Sequence, residues 1–399
     1  MIAWSGFTIS ALMSYFLINY GIYNYSVDPS ASSNIGPLFC VFVTNLIISL
    51  PFKKIDERKI RLTDVNIDTP LYKMFVGISM PFFFVVAILK IYEAVVVSSV
   101  TTYGDVYSMM HDEDATMMLR DLLYGNSILR TISGVGGSYC PTMAPLMIIY
   151  FFNIIVRQRK AKYYHILCII ITLIPTVLQG VSNASRGNLF FSFFQILFYY
   201  IIIRNYLGKK IRNTVVSSSV FFLIGILGVS YAITESRVEA RNSIYSAQDD
   251  IFIYFGQPMI NACYFQDKIK YHPMGKRMLD IREHAESSSF KDYWNYKTDG
   301  QVQLFKTYYG DVFLEFGLLL AFLFIVCYTF LWDKIILKHY QSPMYLPFVW
   351  LYFNTLIYGI FNFNNYIMSI GIWFILLIIL CVTINSQSKA RLIANKLKG

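Results

Sequence analysis

Long apolar stretches alternate with short polar connections along the whole chain. Runs without any Asp, Glu, Lys or Arg recur at Ile2–Val27, Pro29–Phe52, Met74–Leu89, Thr131–Val156, Tyr163–Ser185, Gly187–Ile203, Asn213–Thr234, Phe316–Trp332 and Tyr340–Ser388. A bilayer core about 30 Å thick needs about 20 mainly apolar residues per helix. The last run is long enough for two helices, with a turn at Phe361–Asn365. The pattern therefore predicts ten transmembrane helices.

The composition supports the same class. Hydrophobic residues make up 56% of the 399 residues, and charged residues only 15%. A typical soluble domain has about 25% charged residues, and it could not bury this much apolar surface. Disorder, collagen and coiled coil are excluded by the same figures. We expect an all-α polytopic membrane protein in which residues 1–399 form a single integral membrane domain.

The basic residues predict the orientation of the helices. Of the 34 Lys and Arg residues, 19 lie in five short segments: Lys53–Arg61, Arg157–Lys162, Arg204–Arg212, Lys334–His339 and the tail from Asn385. Such segments favour the cytoplasmic side. They alternate with the other connections if both termini are cytoplasmic. The net charge of +10 is thus a topology signal, and we expect no nucleic-acid partner.

Two longer loops then face outward. The first, residues 91–136, is acidic and includes Glu93. The second, residues 235–308, carries ten acidic and ten basic residues with several aromatics. Its composition predicts a partly helical cap over the membrane.

A short outward turn contains Arg186, Gly187 and Asn188. An ionisable group at this depth is costly and usually functional, and a neighbouring glycine lets backbone approach a ligand. The alternative is an arginine that extends to lipid phosphates. We take Arg186 as a candidate catalytic residue and Asn188 as a candidate substrate contact.

The segment Glu235–Arg241 follows the seventh predicted helix. If the helix continues, Arg237 and Arg241 share one face, and Glu239 lies on the neighbouring stripe. Two guanidinium groups on one face suit a pyrophosphate. The alternative is a solvated ion-pair ladder.

The stretch Tyr254–Asn261 combines aromatic and amide side chains. Gln257 and Asn261 can hydrogen-bond to sugars, whereas the aromatics also suit a membrane interface.

Farther along, Asp311 and Glu315 are four residues apart, which predicts two carboxylates on one helix face. Such a pair can serve as a general acid or base. The alternative is favourable placement of anions near a helix N-terminus.

Other chemistry has little support. His284 is a candidate general base, although a surface role is also open. The six cysteines are scattered, no metal-ligand spacing is present, and P-loop, GxSxG and HExxH motifs are absent. We expect no metal and no cofactor.

The ten-span layout, the Ser185–Asn188 turn, Tyr254–Asn261 and Thr307–Gly317 resemble the Wzy-type O-antigen polymerases. The resemblance implies an enzyme of the bacterial inner membrane that joins oligosaccharide repeat units carried on undecaprenyl pyrophosphate, for O-antigen, capsule or exopolysaccharide. It implies a periplasmic site and a chain-length regulator as a further partner. Tyr308 joins Gln257 and Asn261 as a candidate sugar contact.

Two alternatives stay open. An O-antigen ligase performs nearly the same chemistry on a different acceptor. A polysaccharide flippase or transporter would carry charges within its spans, whereas the apolar runs here are nearly free of charge. The sequence therefore favours the polymerase.

Overall fold

The structure is a computed structural model. It describes residues 2–20, 35–56, 59–60, 66–100, 123–125, 128–158, 162–182, 186–240, 246–277, 288–298, 307–359 and 366–398. Among these residues there are twelve helices of eleven residues or more and no strand. They are α1 (Ile2–Tyr20), α2 (Ile35–Ser49), α3 (Pro70–Val100), α4 (Ile128–Gln158), α5 (Tyr163–Ser182), α6 (Arg186–Ile203), α7 (Lys209–Ala240), α8 (Ala247–Lys268), α9 (Ser288–Thr298), α10 (Thr307–Leu331), α11 (Leu346–Tyr358) and α12 (Tyr366–Lys398).

Eight segments in the described part of the chain are long and apolar enough to cross a membrane. They are Gly36–Lys54, Pro70–Val97, Ile128–Gln158, Tyr163–Ser182, Leu189–Tyr206, Val215–Ser236, Thr307–Lys334 and Trp373–Ala390. Each coincides with one of the ten predicted spans. The first and ninth predicted spans also form helices, α1 over 19 residues and α11 over 13 residues. The all-α, multi-pass membrane fold is confirmed.

Several helices extend beyond the apolar runs that predict them, and in α3 and α10 the extension contains buried charges. α3 continues through Lys90 and Glu93 to Val100, and α10 already begins at Thr307, before Asp311 and Glu315. The expectation of nearly charge-free spans is therefore wrong for these two helices. An uncharged run ends at the first charged residue, whereas a helix continues past a charged residue whose side chain forms an ion pair.

The described chain packs as two compact units. The first unit comprises Met1–Ile55, Tyr245–Lys338 and Phe348–Ser369. In it, α8 packs against α1, α2 and α10. Gly256 allows the close crossing of α8 and α1, because a Cβ there would lie 2.8 Å from the Met13 carbonyl carbon. Ser10 Oγ also donates to the Phe255 carbonyl at 2.5 Å.

The second unit comprises Asp56–Ile244, His339–Pro347 and Ile370–Gly399. In it, α5 packs against α3, α4 and α6, and α6 packs against α7. Proline lies within α3, α4 and α5, and membrane helices tolerate it where neighbouring groups satisfy the freed backbone.

Candidate functional site

The first turns of α10 are separated from its apolar remainder by a break at Gly317. Gly317 has φ 72° and ψ 179°, which is outside the helical region and suits only glycine. A Cβ at this position would also lie 3.0 Å from His272 Nε2. Residues 307–316 therefore form a short helical segment of their own, and this segment carries Asp311 and Glu315.

The segment 272–277 covers the break. His272 Nδ1 lies 3.1 Å from the Leu314 carbonyl oxygen, and the Met274 amide donates to the Glu315 carbonyl at 2.8 Å. The Gly275 amide donates to Glu315 Oε2 at 3.0 Å. These contacts satisfy carbonyls that the break leaves without their usual helical partners. The segment and α10 thus hold each other in place.

Arg277 lies between the two carboxylates. Its Nη2 donates to Asp311 Oδ1 at 2.7 Å, and its Nε donates to Glu315 Oε1 at 2.5 Å. All three side chains are buried, with 5% of Arg277, 9% of Asp311 and none of Glu315 exposed. Asp311 and Glu315 therefore do share one face, and one guanidinium faces two carboxylates.

The two carboxylates are held differently. Both Glu315 oxygens accept hydrogen bonds, one from Arg277 and one from the Gly275 amide, and the side chain is inaccessible. The side chain of Asp311 is 9% exposed and that of Glu315 is not exposed, so Asp311 is the more accessible of the two carboxylates.

The candidate sugar contacts lie in the same unit. Gln257 and Asn261 are on α8, where Gln257 Nε2 donates to Asn261 Oδ1 at 3.0 Å. Tyr308 is fully buried, and its hydroxyl donates to Thr44 Oγ1 at 3.0 Å. Tyr308 therefore fixes α10 against α2. The adjacent Tyr309 donates to Gln266 Oε1 at 2.8 Å.

The remaining candidates belong to the second unit or lie outside the described part. The backbones of Arg186, Asn188 and Arg237 are helical, but their side chains are not among those described. Arg241 and His284 lie outside the described residues. α7 does continue past the seventh predicted span to Ala240, and Glu239 on it is exposed.

The sequence did not connect Arg277 and His272 with Asp311 and Glu315. Arg277 is 34 residues from Asp311 and 38 from Glu315, so no helical spacing links them. The only signal was the glycine at position 317, at the entry to an apolar helix, because a break there requires capping groups from elsewhere.

A second buried ion pair lies in the second unit. Lys90 Nζ donates to Glu93 Oε2 at 2.8 Å and to Ser133 Oγ at 2.9 Å. Tyr124 and Ser133 both donate hydroxyl hydrogen bonds to Glu93 Oε1. Burial and the Glu93 contact raise the pKa of Tyr124, so its hydroxyl keeps its proton and donates. Glu93 thus lies inside a helix and is fully partnered.

Among the described residues, no group of three or more His, Cys, Asp and Glu side chains is arranged to hold a metal ion. The acidic run Asp112–Asp114 lies outside them. No protein-family model, curated protein or solved structure matches this chain.

Proposed function

We propose that this protein is a membrane glycosyltransferase that polymerises oligosaccharide repeat units carried on undecaprenyl pyrophosphate. The observation that carries the proposal is the buried Arg277–Asp311–Glu315 cluster at the break in α10. Its carboxylates, held in place by one guanidinium, suit the removal of a proton from a sugar hydroxyl. The resemblance to Wzy-type polymerases at Thr307–Gly317 points to the same chemistry.

The reaction needs a base and a stabilised leaving group. An acceptor hydroxyl oxygen forms a bond to the anomeric carbon of the donor, and its proton passes to Asp311. The bond from that carbon to the lipid pyrophosphate breaks, and the pyrophosphate leaves with the electron pair. In this proposal Arg277 and Glu315 are positioning residues that orient Asp311.

The leaving group needs cations other than Arg277. Two carboxylates already surround that guanidinium, so it is poorly suited to a pyrophosphate. Arg186, Arg237 and Arg241 remain the proposed pyrophosphate ligands, from their sequence positions at the ends of α6 and α7. Removal of one donor to a developing negative charge lowers the rate about 10²–10³-fold.

The cellular setting is part of the proposal. The basic connections support an inner-membrane protein with both termini cytoplasmic and with residues 91–136 and 235–308 in the periplasm. A chain-length regulator is the proposed protein partner. Gln257 and Asn261 on α8 are the proposed sugar contacts in the first unit.

The test is the length of the surface polysaccharide in cells that lack the gene and carry a variant at matched membrane levels. Asp311→Asn should leave mostly single repeat units, because loss of a general base costs about 10²–10⁴ in rate. Asp333→Asn is the matched control, since Asp333 lies just after the other end of α10 and pairs with the exposed Lys54.

The polysaccharide that each strain makes distinguishes the assignment of the base from that of the enzyme class. Full-length polymer from Asp311→Asn would remove Asp311 as the base. Full-length polymer in cells without the gene would overturn the polymerase. Absence of any attached polysaccharide, in place of single units, would identify a ligase.

A transporter of the lipid-linked oligosaccharide is the second candidate, and the Lys90–Glu93 pair favours it. Both residues lie within the span Pro70–Val97, and charges inside a span are typical of translocation paths. Cells without a transporter would accumulate the lipid-linked units on the cytoplasmic side. Cells without the polymerase would display single units outside.

A further inference from the structure

The segment 268–277, which leads from the end of α8 to the Arg277 cluster, is basic. It carries five basic side chains and no Asp or Glu: Lys268, Lys270, His272, Lys276 and Arg277. Lys270 and Lys276 are exposed, and neither forms an ion pair with any residue in the described part of the chain. The segment therefore presents uncompensated positive charge beside the break in α10.

Buried anchors hold this segment in place between its cations. Ile269 is 5% exposed and Arg277 4%, and Pro273 is also buried. Met274 has a φ of 56°, and its amide donates to the Glu315 carbonyl at 2.8 Å. A non-glycine residue keeps such a strained backbone only where the surrounding contacts impose it. The cations thus lie on a segment whose path is fixed.

The imidazole of His272 is oriented by one nitrogen and open at the other. Nδ1 lies 3.1 Å from the Leu314 carbonyl oxygen, which can only accept, so Nδ1 carries the proton of this hydrogen bond. The ring packs edge-on against Phe313, with 5.3 Å between the centroids. Nε2 has no hydrogen-bond partner among the described residues and is not one of their enclosed polar atoms. A ligand can therefore reach Nε2.

Lys270 can act on the same ligand as His272. Two residues of chain separate their Cα atoms by at most about 7 Å, and a lysine ammonium has three donors on a flexible side chain. Two cations at this separation repel each other, whereas an anion between them accepts from both. A phosphate has several oxygens for such contacts. The pair is therefore suited to a phosphate group.

The position relative to Asp311 indicates which phosphate fits. Leu314, which His272 contacts, is three residues from Asp311, or about 4.5 Å along the helix. In a glycosyl transfer the attacking hydroxyl and the departing phosphate meet at one anomeric carbon, so the base and the phosphate ligands must lie close together. Lys270 and His272 share a unit with Asp311. They also belong to the loop 235–308, which the basic connections place on the outward side.

We propose that Lys270 and His272 form a binding site for the pyrophosphate of the lipid-linked donor. The phosphate site rests on the contacts of these two residues, and the choice of a polyprenyl pyrophosphate as its source rests on the proposed function. His272 binds as an imidazolium, with Nδ1 donating to the Leu314 carbonyl and Nε2 donating to a phosphate oxygen. When the bond to the anomeric carbon breaks, the electron pair passes to the pyrophosphate, and both cations stabilise the added negative charge.

The first experiment titrates inorganic pyrophosphate into the full chain, held in nanodiscs of uncharged phosphatidylcholine, and measures the affinity by calorimetry. Lys270→Met should weaken the affinity about tenfold or more, as expected for one lost hydrogen bond to a charged group. Lys297→Met is the matched control, because it removes an exposed lysine from α9 of the same unit. No binding by the wild type, or an equal loss in the two variants, would overturn the site.

Two substitutions at His272 separate contact with the ligand from capping of α10. The amide nitrogen of asparagine replaces Nδ1, so His272→Asn keeps the donor to Leu314 and loses Nε2. The longer glutamine side chain places its amide nitrogen where Nε2 lies. We expect His272→Asn to weaken pyrophosphate binding about tenfold or more and His272→Gln to weaken it less. Wild-type affinity in His272→Asn, or the opposite order of the two variants, would contradict the contact through Nε2.

The source of the phosphate is tested with lipids in the same nanodiscs. A small fraction of undecaprenyl pyrophosphate should raise the unfolding temperature of the wild type but not that of Lys270→Met. The same fraction of phosphatidylglycerol should leave both proteins unchanged. Equal stabilisation by the two lipids, lost together in Lys270→Met, would identify a general surface for anionic lipids and overturn the pyrophosphate site.

These results are distinguishable from the outcome for the proposed function. If pyrophosphate binding depends on Lys270 and His272 while cells without the gene keep full-length polymer, the pyrophosphate site stands and the polymerase fails. If cells without the gene make single repeat units while neither residue affects pyrophosphate binding, the site is overturned and the polymerase stands.

Discussion

Two buried clusters of charged side chains in the described part of the chain are built in opposite ways. Lys90 and Glu93 are three residues apart on one helix, and hydroxyls of Tyr124 and Ser133 complete the coordination of the carboxylate. Arg277 instead meets carboxylates 34 and 38 residues farther along the chain. The first cluster joins one cation to one anion, whereas in the second one guanidinium contacts two carboxylates.

The hydroxyls of Tyr124 and Ser133 hold the Lys90–Glu93 pair and join α3 to α4, and the pair places two charges inside a span. The segment 272–277 instead brings Arg277 to two carboxylates of α10. Substitutions can test each half of this comparison.

Arg277→Met should have the largest effect. It leaves two buried carboxylates facing each other, and removal of one partner of a buried pair costs about 3–5 kcal/mol. The measurement is thermal unfolding in nanodiscs, with the amount of protein in the membrane as a second readout. Lys276→Met is the control, since Lys276 is exposed. Equal stability of the two variants would contradict the coupling of segment 272–277 to α10.

Lys90→Met should destabilise by about 3 kcal/mol, somewhat less than Arg277→Met, because two hydroxyls still donate to Glu93. The double variant Lys90→Met with Glu93→Gln should return to within about 1 kcal/mol of the wild type, since a balanced pair can be replaced without loss. A double variant with unaltered stability but lost export of glycan would favour the transporter.

Gly317→Ala should cost about 1–3 kcal/mol from the positive-φ backbone alone, and more if His272 cannot move. The matched control is Gly228→Ala on α7, where an added Cβ meets nothing within 4 Å. Alanine there should be neutral or stabilise by up to about 1 kcal/mol. Equal unfolding temperatures for both variants would show that the break in α10 is not required.

Lys54→Ala should have the smallest effect, below about 1 kcal/mol. Lys54 pairs with Asp333 at 2.6 Å, but 66% of its side chain is exposed. High salt should leave this variant and the wild type nearly indistinguishable in unfolding temperature. A large loss would mean that this surface pair is coupled to the π-helical turn Trp332–Ile336, which contains Asp333.

The sequence predicts the membrane helices well because their apolar length is a local property. The shared face of Asp311 and Glu315 follows equally from their four-residue spacing. Arg277 could not be assigned in this way, because its position beside them depends on how a separate segment folds back. The burial of Gln195 on α6 likewise results from packing, and it cannot be predicted from the uncharged run in which this residue lies.

The helix that contains Tyr254–Asn261 was missed for a different reason. Its aromatics and Pro258 favour a loop at the interface, but it lies inside α8. The sequence signal for this helix lies before it, at its N-terminus. There Ser246 and Asp249 form a capping box, in which each side chain accepts a hydrogen bond from the other residue's backbone amide. A proline in the middle of a segment argues against a helix only where no capping box marks a helix start before it.

The long separation within the Arg277 cluster also has a consequence for biosynthesis. At about 5–20 residues per second, the ribosome needs roughly 2–7 seconds to add the 34 residues between Arg277 and Asp311. During that interval the arginine has neither of its carboxylates, and it cannot enter an apolar environment without a large penalty. Insertion of α10 into the membrane is therefore the event that completes the cluster, and translation that stops before α10 leaves the newly made arginine in water.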